Sequence, residues 1–131
     1  MCIFVLIYWI LIIDNMKLTL AQIVELLEGK VICSGSDLTR TISYGFASDL
    51  LSDVLTLDHT DILFLTGLCN IQTIRTAEMA DINQIVFVRG KIVTPEMCRI
   101  ARENNIVLIQ SSMSLFRASG ILFSAGLNPV Y

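Results

Sequence analysis

Three short apolar runs constrain this chain more than anything else in it. Residues 62–65 (ILFL), 84–88 (QIVFV) and 106–109 (IVLI) lack the apolar–polar alternation of a half-exposed strand. Near-continuous runs of this length mark strands covered on both faces. Each is followed by a segment with helix-start signals and helical apolar spacing, so the order after residue 60 is strand, helix, strand, helix, strand, helix. That alternation predicts a parallel sheet with right-handed crossovers. The expected fold class is a three-layer α/β/α unit with a mainly parallel sheet. A chain of 131 residues is the length of one such domain.

Local signals place the rest. Thr19-x-x-Gln22 is a capping-box pattern, Leu20, Ile23, Val24 and Leu27 then share one helical face, and Gly29 is expected to end that helix. Residues 30–33 read as a short strand, 34–37 (SGSD) as a turn and 41–47 as a strand. Ser48 or Asp49 is expected to cap a short helix over 50–55, and 58–61 (DHTD) form a polar loop. Asn70 is the expected cap of the next helix, with Ile71, Ile74 and Ala77 facing inward. Residues 89–91 read as a turn, and Thr94-Pro95-Glu96 combines cap, proline at the first helical position and an early acid. Ser111-Ser112 leads into a last helix ending near Gly126, and Met97, Met113 and Phe116 are expected in the core.

The chain opens on thirteen apolar residues, MCIFVLIYWILII, followed by Asp14-Asn15. A membrane-spanning helix needs about 20 residues, and no positive leader or small-residue cleavage site accompanies the stretch. Because the first helix signals start just after Met16, residues 16–131 are expected to make the domain. Residues 1–15 are then an apolar extension, read as upstream translated sequence outside the native domain; a membrane anchor, an extra strand or an oligomer-forming segment are the alternatives.

Nine basic against twelve acidic residues give a formal net charge of −3, with no basic run. Binding to nucleic acid needs a basic footprint, so that class is excluded, and an anionic membrane surface is disfavoured for the same reason. The four cysteines (Cys2, Cys33, Cys69, Cys98) form no CxxC, and His59 is the single histidine, so no zinc site and no metal are expected. Free thiols in a reducing cytoplasm are the plainer reading. Neither GxGxxG nor GxxxxGK[ST] occurs, and no cofactor is expected.

Four stretches carry a resemblance: 47–55 (ASDLLSDVL), 65–72 (LTGLCNIQ), 74–82 (IRTAEMADI) and 85–91 (IVFVRGK). Together they resemble the stand-alone DRTGG-domain proteins of anaerobic bacteria, over roughly residues 16–127. The segment that names the family is reduced here to Arg40-Thr41-Ile42-Ser43-Tyr44-Gly45. The resemblance extends to the N-terminal domain of HPr kinase/phosphorylase. It implies an α/β module found beside CBS domains in regulated pyrophosphatases and within phosphate acetyltransferases. A regulatory or assembly role follows from it, with no catalytic residue to carry over.

Ligands of open parallel sheets sit outside the carboxyl ends of the strands. Those ends offer Ser48, Asp49, Thr66, Gly67, Asn70, Arg89, Ser111 and Ser112 as candidate ligand-binding residues. A glycine turn at a helix start presents N–H groups and a positive dipole end to a phosphate or carboxylate. The same residue types also suit ordinary strand-to-helix turns. Asp49 and Asp53, spaced i and i+4, could serve acid–base work or a cation, and could equally be acids at a helix start. Arg75 and Glu78 have ion-pair spacing, His59 reads as a surface residue, and Cys69 beside a helix start could have a lowered pKa or simply pack. No nucleophile–base–orienter set can be assembled, so the chain is not expected to be an enzyme. Two readings remain. One is a regulatory domain sensing a small anionic metabolite or nucleotide, signalling through a homo-oligomer or partner enzyme. The other is an interaction and assembly module with no ligand.

Overall fold

The computed structural model describes residues 3, 5, 17–33 and 37–131. The extension 1–15, apart from Ile3 and Val5, and the turn at 34–36 lie outside the described residues. Strands are β1 (Leu18–Thr19), β2 (Lys30–Val31), β3 (Thr41–Ile42), β4 (Tyr44–Ala47), β5 (Ile62–Thr66), β6 (Gln84–Phe87), β7 (Val107–Gln110) and β8 (Asn128–Pro129). Helices are α1 (Leu20–Leu26), α2 (Leu51–Val54), α3 (Ile71–Met79), α4 (Pro95–Glu103) and α5 (Leu115–Ser124).

Six strands form the main sheet in the order β2-β7-β6-β5-β4-β8, parallel except for β2, which pairs antiparallel with β7. All five residues of β5 are buried, as are the four of β6, so the apolar runs do lie between two layers. Leu63, Leu65, Val86 and Ile109 face a core shared with α1 and α5. Phe64, Ile85, Phe87 and Leu108 face a second core shared with α2, α3 and α4. The result is an α/β/α unit with a mixed, mostly parallel sheet, in keeping with the expected class.

Residues 41–47 do not make one strand. Thr41 and Ile42 pair with Thr19 and Leu18 in a separate two-stranded ribbon, while Tyr44–Ala47 joins the main sheet. The break falls at Ser43, whose N–H donates with that of Tyr44 to the Asp61 carbonyl. Phe116 is another correction. It is 89% exposed on α5, whereas Met97 and Met113 are buried as expected.

Three of the five helix starts, those of α1, α3 and α4, follow the sequence closely. Thr19 and Gln22 form the full capping box, and Asn70, Thr94 and Ser114 each accept from the backbone three residues on. Four of the five helix ends, all but that of α2, share one device. The N–H groups of Gly29, Ile82, Ile106 and Leu127 donate to the carbonyls of Val24, Ala77, Ala101 and Leu122. Each bond spans a left-handed residue, Glu28, Asp81, Asn105 or Gly126. This is the six-to-one closure of the Schellman motif, and it recovers carbonyls that a helix end otherwise orphans. Gly29 is therefore not the left-handed residue; it is needed because a Cβ there would lie 2.9 Å from Ile109 Cγ2.

Candidate functional site

Asp49 is the centre of the carboxyl edge. It does not cap α2 as expected: the residue in that position is Leu50, with no side-chain cap bond. Nor does it share a helix face with Asp53, because it precedes the helix. Its carboxylate turns instead toward the end of β5, where Oδ1 accepts from Gly67 N–H at 2.8 Å and from the Thr66 hydroxyl at 2.9 Å. Thr66 is fully buried and its Oγ1 also accepts from Leu68 N–H. Oδ2 of Asp49 meets Arg89 Nη2 at 3.2 Å, with side chains 42% and 47% exposed respectively. The Gly67 N–H, the Thr66 hydroxyl and Arg89 together hold the Asp49 carboxyl below its ordinary range, against some opposition from burial.

Arg89 reaches Asp49 from the turn after β6, where it carries φ +63 and Gly90 φ +66. A left-handed conformation at a non-glycine residue costs about 1–2 kcal/mol, and here two bonds offset it. Arg89 N–H donates to the Met113 carbonyl and Gly90 N–H to the Ser111 carbonyl. The guanidinium lies against Gly67, so that a Cβ at 67 would collide with it. Ser111 continues the chain of contacts inward, its buried hydroxyl donating to the Leu27 carbonyl at 2.9 Å and accepting from Met113 N–H. The turns following β4, β5, β6 and β7 are thus linked by hydrogen bonds into one edge.

Of the eight candidate residues, Asp49, Thr66, Gly67 and Arg89 come together. Ser48 closes a local turn by accepting from Leu50 N–H, and Asn70 caps α3 through Thr73 N–H while also accepting from the Thr73 hydroxyl. Ser111 is buried and spent on the interior, and Ser112 is exposed beside it. Two of the N–H groups expected to meet an anion at Thr66–Asn70 are engaged, Gly67 by Asp49 and Leu68 by Thr66, and in the helix that follows Thr73 N–H is taken by Asn70. Met113, whose carbonyl anchors Arg89, had no signal in the sequence beyond its apolar type.

The remaining candidates resolve simply. Burial raises the Cys69 thiol above its usual range, opposite to an activated cysteine, and its Sγ faces the Ile92 carbonyl. Arg75 and Glu78 are exposed, and the ion pairs among the described residues lie elsewhere. His59 is exposed, edge-on to Tyr44 at 4.7 Å. Among the described residues no three or more His, Cys, Asp and Glu side chains group as a metal site would, and no helix is long and apolar enough to cross a membrane. An apolar groove of about 280 Å³ runs along the other side of the sheet edge, between α5 (Leu122, Phe123) and the β4–β8 pair (Ala47, Pro129).

The fold has a solved counterpart. It is the structure of the CBS and DRTGG domains of the regulatory region of Clostridium perfringens pyrophosphatase, complexed with its activator diadenosine tetraphosphate. The two superimpose with a TM-score of 0.67 over 86% of this chain and 48% of that one, at 14% sequence identity. The chain therefore spans about half the length of that region, and the likeness is one of fold. No family model matches the sequence, and no curated protein matches it.

Proposed function

We propose that residues 16–131 form a DRTGG-type regulatory domain, related in fold to the N-terminal domain of HPr kinase/phosphorylase. It works in the cytoplasm, without catalysis of its own, by sensing a small anionic metabolite or nucleotide at the carboxyl edge. The observation that carries this reading is Arg89. It stands half exposed at that edge, aimed by Asp49 and by a left-handed backbone, with only Nη2 placed against the carboxylate. A bidentate guanidinium contact to phosphate or carboxylate suits such a group. Ser112 stands exposed in the adjoining turn as a hydroxyl partner. That a counterpart of this fold belongs to a regulatory region crystallised with a nucleotide activator supports the assignment.

The test is thermal unfolding of the full chain against adenine and guanine nucleotides, acyl phosphates and phosphosugars. A ligand at 100 times its dissociation constant stabilises by about 2.7 kcal/mol, which is several degrees for a domain this size. A selective shift that disappears in Arg89→Gln supports sensing. A shift unaltered by Arg89→Gln removes the edge as the site, and a flat response to the whole panel removes sensing.

A second reading, an assembly module with no ligand, is favoured by α5, where Phe116 and Phe123 are 89% and 68% exposed. It predicts that the chain self-associates or captures an enzyme partner through that helix. Sedimentation of Phe116→Ser and Phe123→Ser beside the parent chain checks it; identical behaviour speaks against it.

A further inference from the structure

Two cysteines that share no sequence motif meet on the α4 side of the sheet. Cys33 follows the edge strand β2 and Cys98 sits in the first turns of α4, 65 residues on. Two local features bring them together. Ile32 N–H donates to the Leu108 carbonyl, extending the edge strand along β7, and the Thr94 cap fixes the start of α4. The two sulfur atoms are 2.6 Å apart, inside ordinary non-bonded contact and approaching the roughly 2.05 Å of a covalent S–S bond. Cys33 is buried in the core beneath α4, and Cys98 packs half-buried against the same core.

We propose that Cys33 and Cys98 form an oxidation site, a dithiol that closes to a reversible disulfide by exchange with a low-molecular-weight disulfide and staples edge strand β2 to α4. Cys98, the more accessible thiol, takes the first step. Its thiolate attacks one sulfur of the small disulfide, the S–S bond breaks, and one small thiol leaves with a proton, leaving a mixed disulfide on Cys98. Cys33 then gives up its proton and attacks Cys98 Sγ, expelling the second small thiol. Two cysteine thiols are oxidised and one small disulfide is reduced to two thiols, so no further oxidant enters.

The division of labour follows from the environment. Burial first, then the Cys98 contact, pushes the Cys33 thiol up to about 12, with Arg102 pulling weakly the other way. Such a thiol is a poor initiator, but a nucleophile already in contact with its target needs little encounter. The bond would close a long loop on a strand only two residues long at the edge of the sheet. Cys69 has no comparable placement, its Sγ being set against a backbone carbonyl.

The full chain is incubated for hours with oxidised and reduced glutathione at graded ratios, quenched in acid, unfolded, alkylated and analysed by mass. The expected product has lost two hydrogens, resists alkylation at Cys33 and Cys98, and yields one peptide pair joining them. Its unfolding midpoint rises by on the order of 10 °C. Cys69→Ser keeps the cross-link and Cys98→Ala loses it; the half-buried position of Cys98 makes this the variant expected to stay folded. The proposal is overturned if both thiols remain open to alkylation at every ratio, if glutathione stays on Cys98 without closure, or if the cross-link joins other cysteines or two chains.

Discussion

Replacing Asp49 by alanine should cost this domain more than its surface position suggests. The carboxylate serves three donors of very different worth. Gly67 is buried and its N–H donates to Oδ1; removing the carboxylate takes that acceptor away, and an orphaned buried donor costs about 1–3 kcal/mol. The Thr66 hydroxyl keeps its role as acceptor for Leu68 and loses less. The pair with Arg89 is nearly half exposed on both sides, so solvent screening holds it below about 1 kcal/mol. A total near 2 kcal/mol lowers the unfolding midpoint by roughly 5–10 °C in a chain of this size. Asp49→Asn retains an oxygen for Gly67 and should cost less than about 1 kcal/mol. Arg89→Ala should also be mild. Urea unfolding of the three variants beside the parent decides the matter. If Arg89→Ala is as damaging as Asp49→Ala, or asparagine is no better than alanine, the backbone donor is not the main term. The pH dependence gives an independent check. Because the folded Asp49 carboxyl is held below its ordinary range, first by Gly67 N–H, its stabilisation is complete above the ordinary aspartate pKa of about 4. It is then lost as pH falls through the lower folded value. The parent chain should therefore lose more stability than Asp49→Asn on acidification below about pH 4. The other carboxylates, including Asp37 held low by Thr39, act equally in both proteins.

Other changes test neighbouring links. Ser111→Ala strands the Leu27 carbonyl and weakens the tie to Met113, and should cost about 1–2 kcal/mol in urea unfolding. Gly67→Ala places a Cβ where the Arg89 guanidinium lies. The flexible side chain should swing away with a stability change below about 1 kcal/mol, and loss of the Arg89–Asp49 contact should be visible in the guanidinium NMR signals. Thr94→Ala removes the cap of α4 and should cost about 1 kcal/mol, read as a lower unfolding midpoint.

How far the fold is legible depends on which end of each element is considered. Strand interiors and most helix starts are written in side chains: the run at 62–65, the Thr19–Gln22 box, Asn70, and Thr94 with Pro95; the start of α2 is not, because Asp49 turns to the end of β5 and Leu50 takes the cap position. Helix ends are not, because three of the four Schellman closures place Glu28, Asp81 or Asn105 in the left-handed region where a glycine would be the usual signal. Aspartate and asparagine tolerate that conformation, but they are common in polar loops for other reasons too. The strand break at Ser43 is equally silent, since it is decided by a carbonyl eighteen residues away in sequence, that of Asp61. Phe116 stands outside the expected core because helical spacing alone does not say which arc of α5 faces the sheet; Ala118 and Leu122 take that place.

The site illustrates a sharper limit, and it bears on how a ligand would act. A glycine turn before a helix reads the same whether its N–H groups await an anion or already have one. Here the chain supplies its own, Asp49, on Gly67 N–H. An incoming phosphate or carboxylate would gain little at that backbone position unless it displaced a carboxylate that is well held there. The Arg89 pair is the weaker link, since both partners are nearly half exposed. The cheaper exchange leaves Asp49 in place and draws the guanidinium to the ligand. Gly67 would then lose the side chain that covers it. The Arg89–Gly90 turn, tied to Ser111 and Met113, would feel the pull at the start of α5. On the proposed reading, ligand occupancy at the sheet edge is therefore coupled to α5, the helix that carries the exposed Phe116 and Phe123.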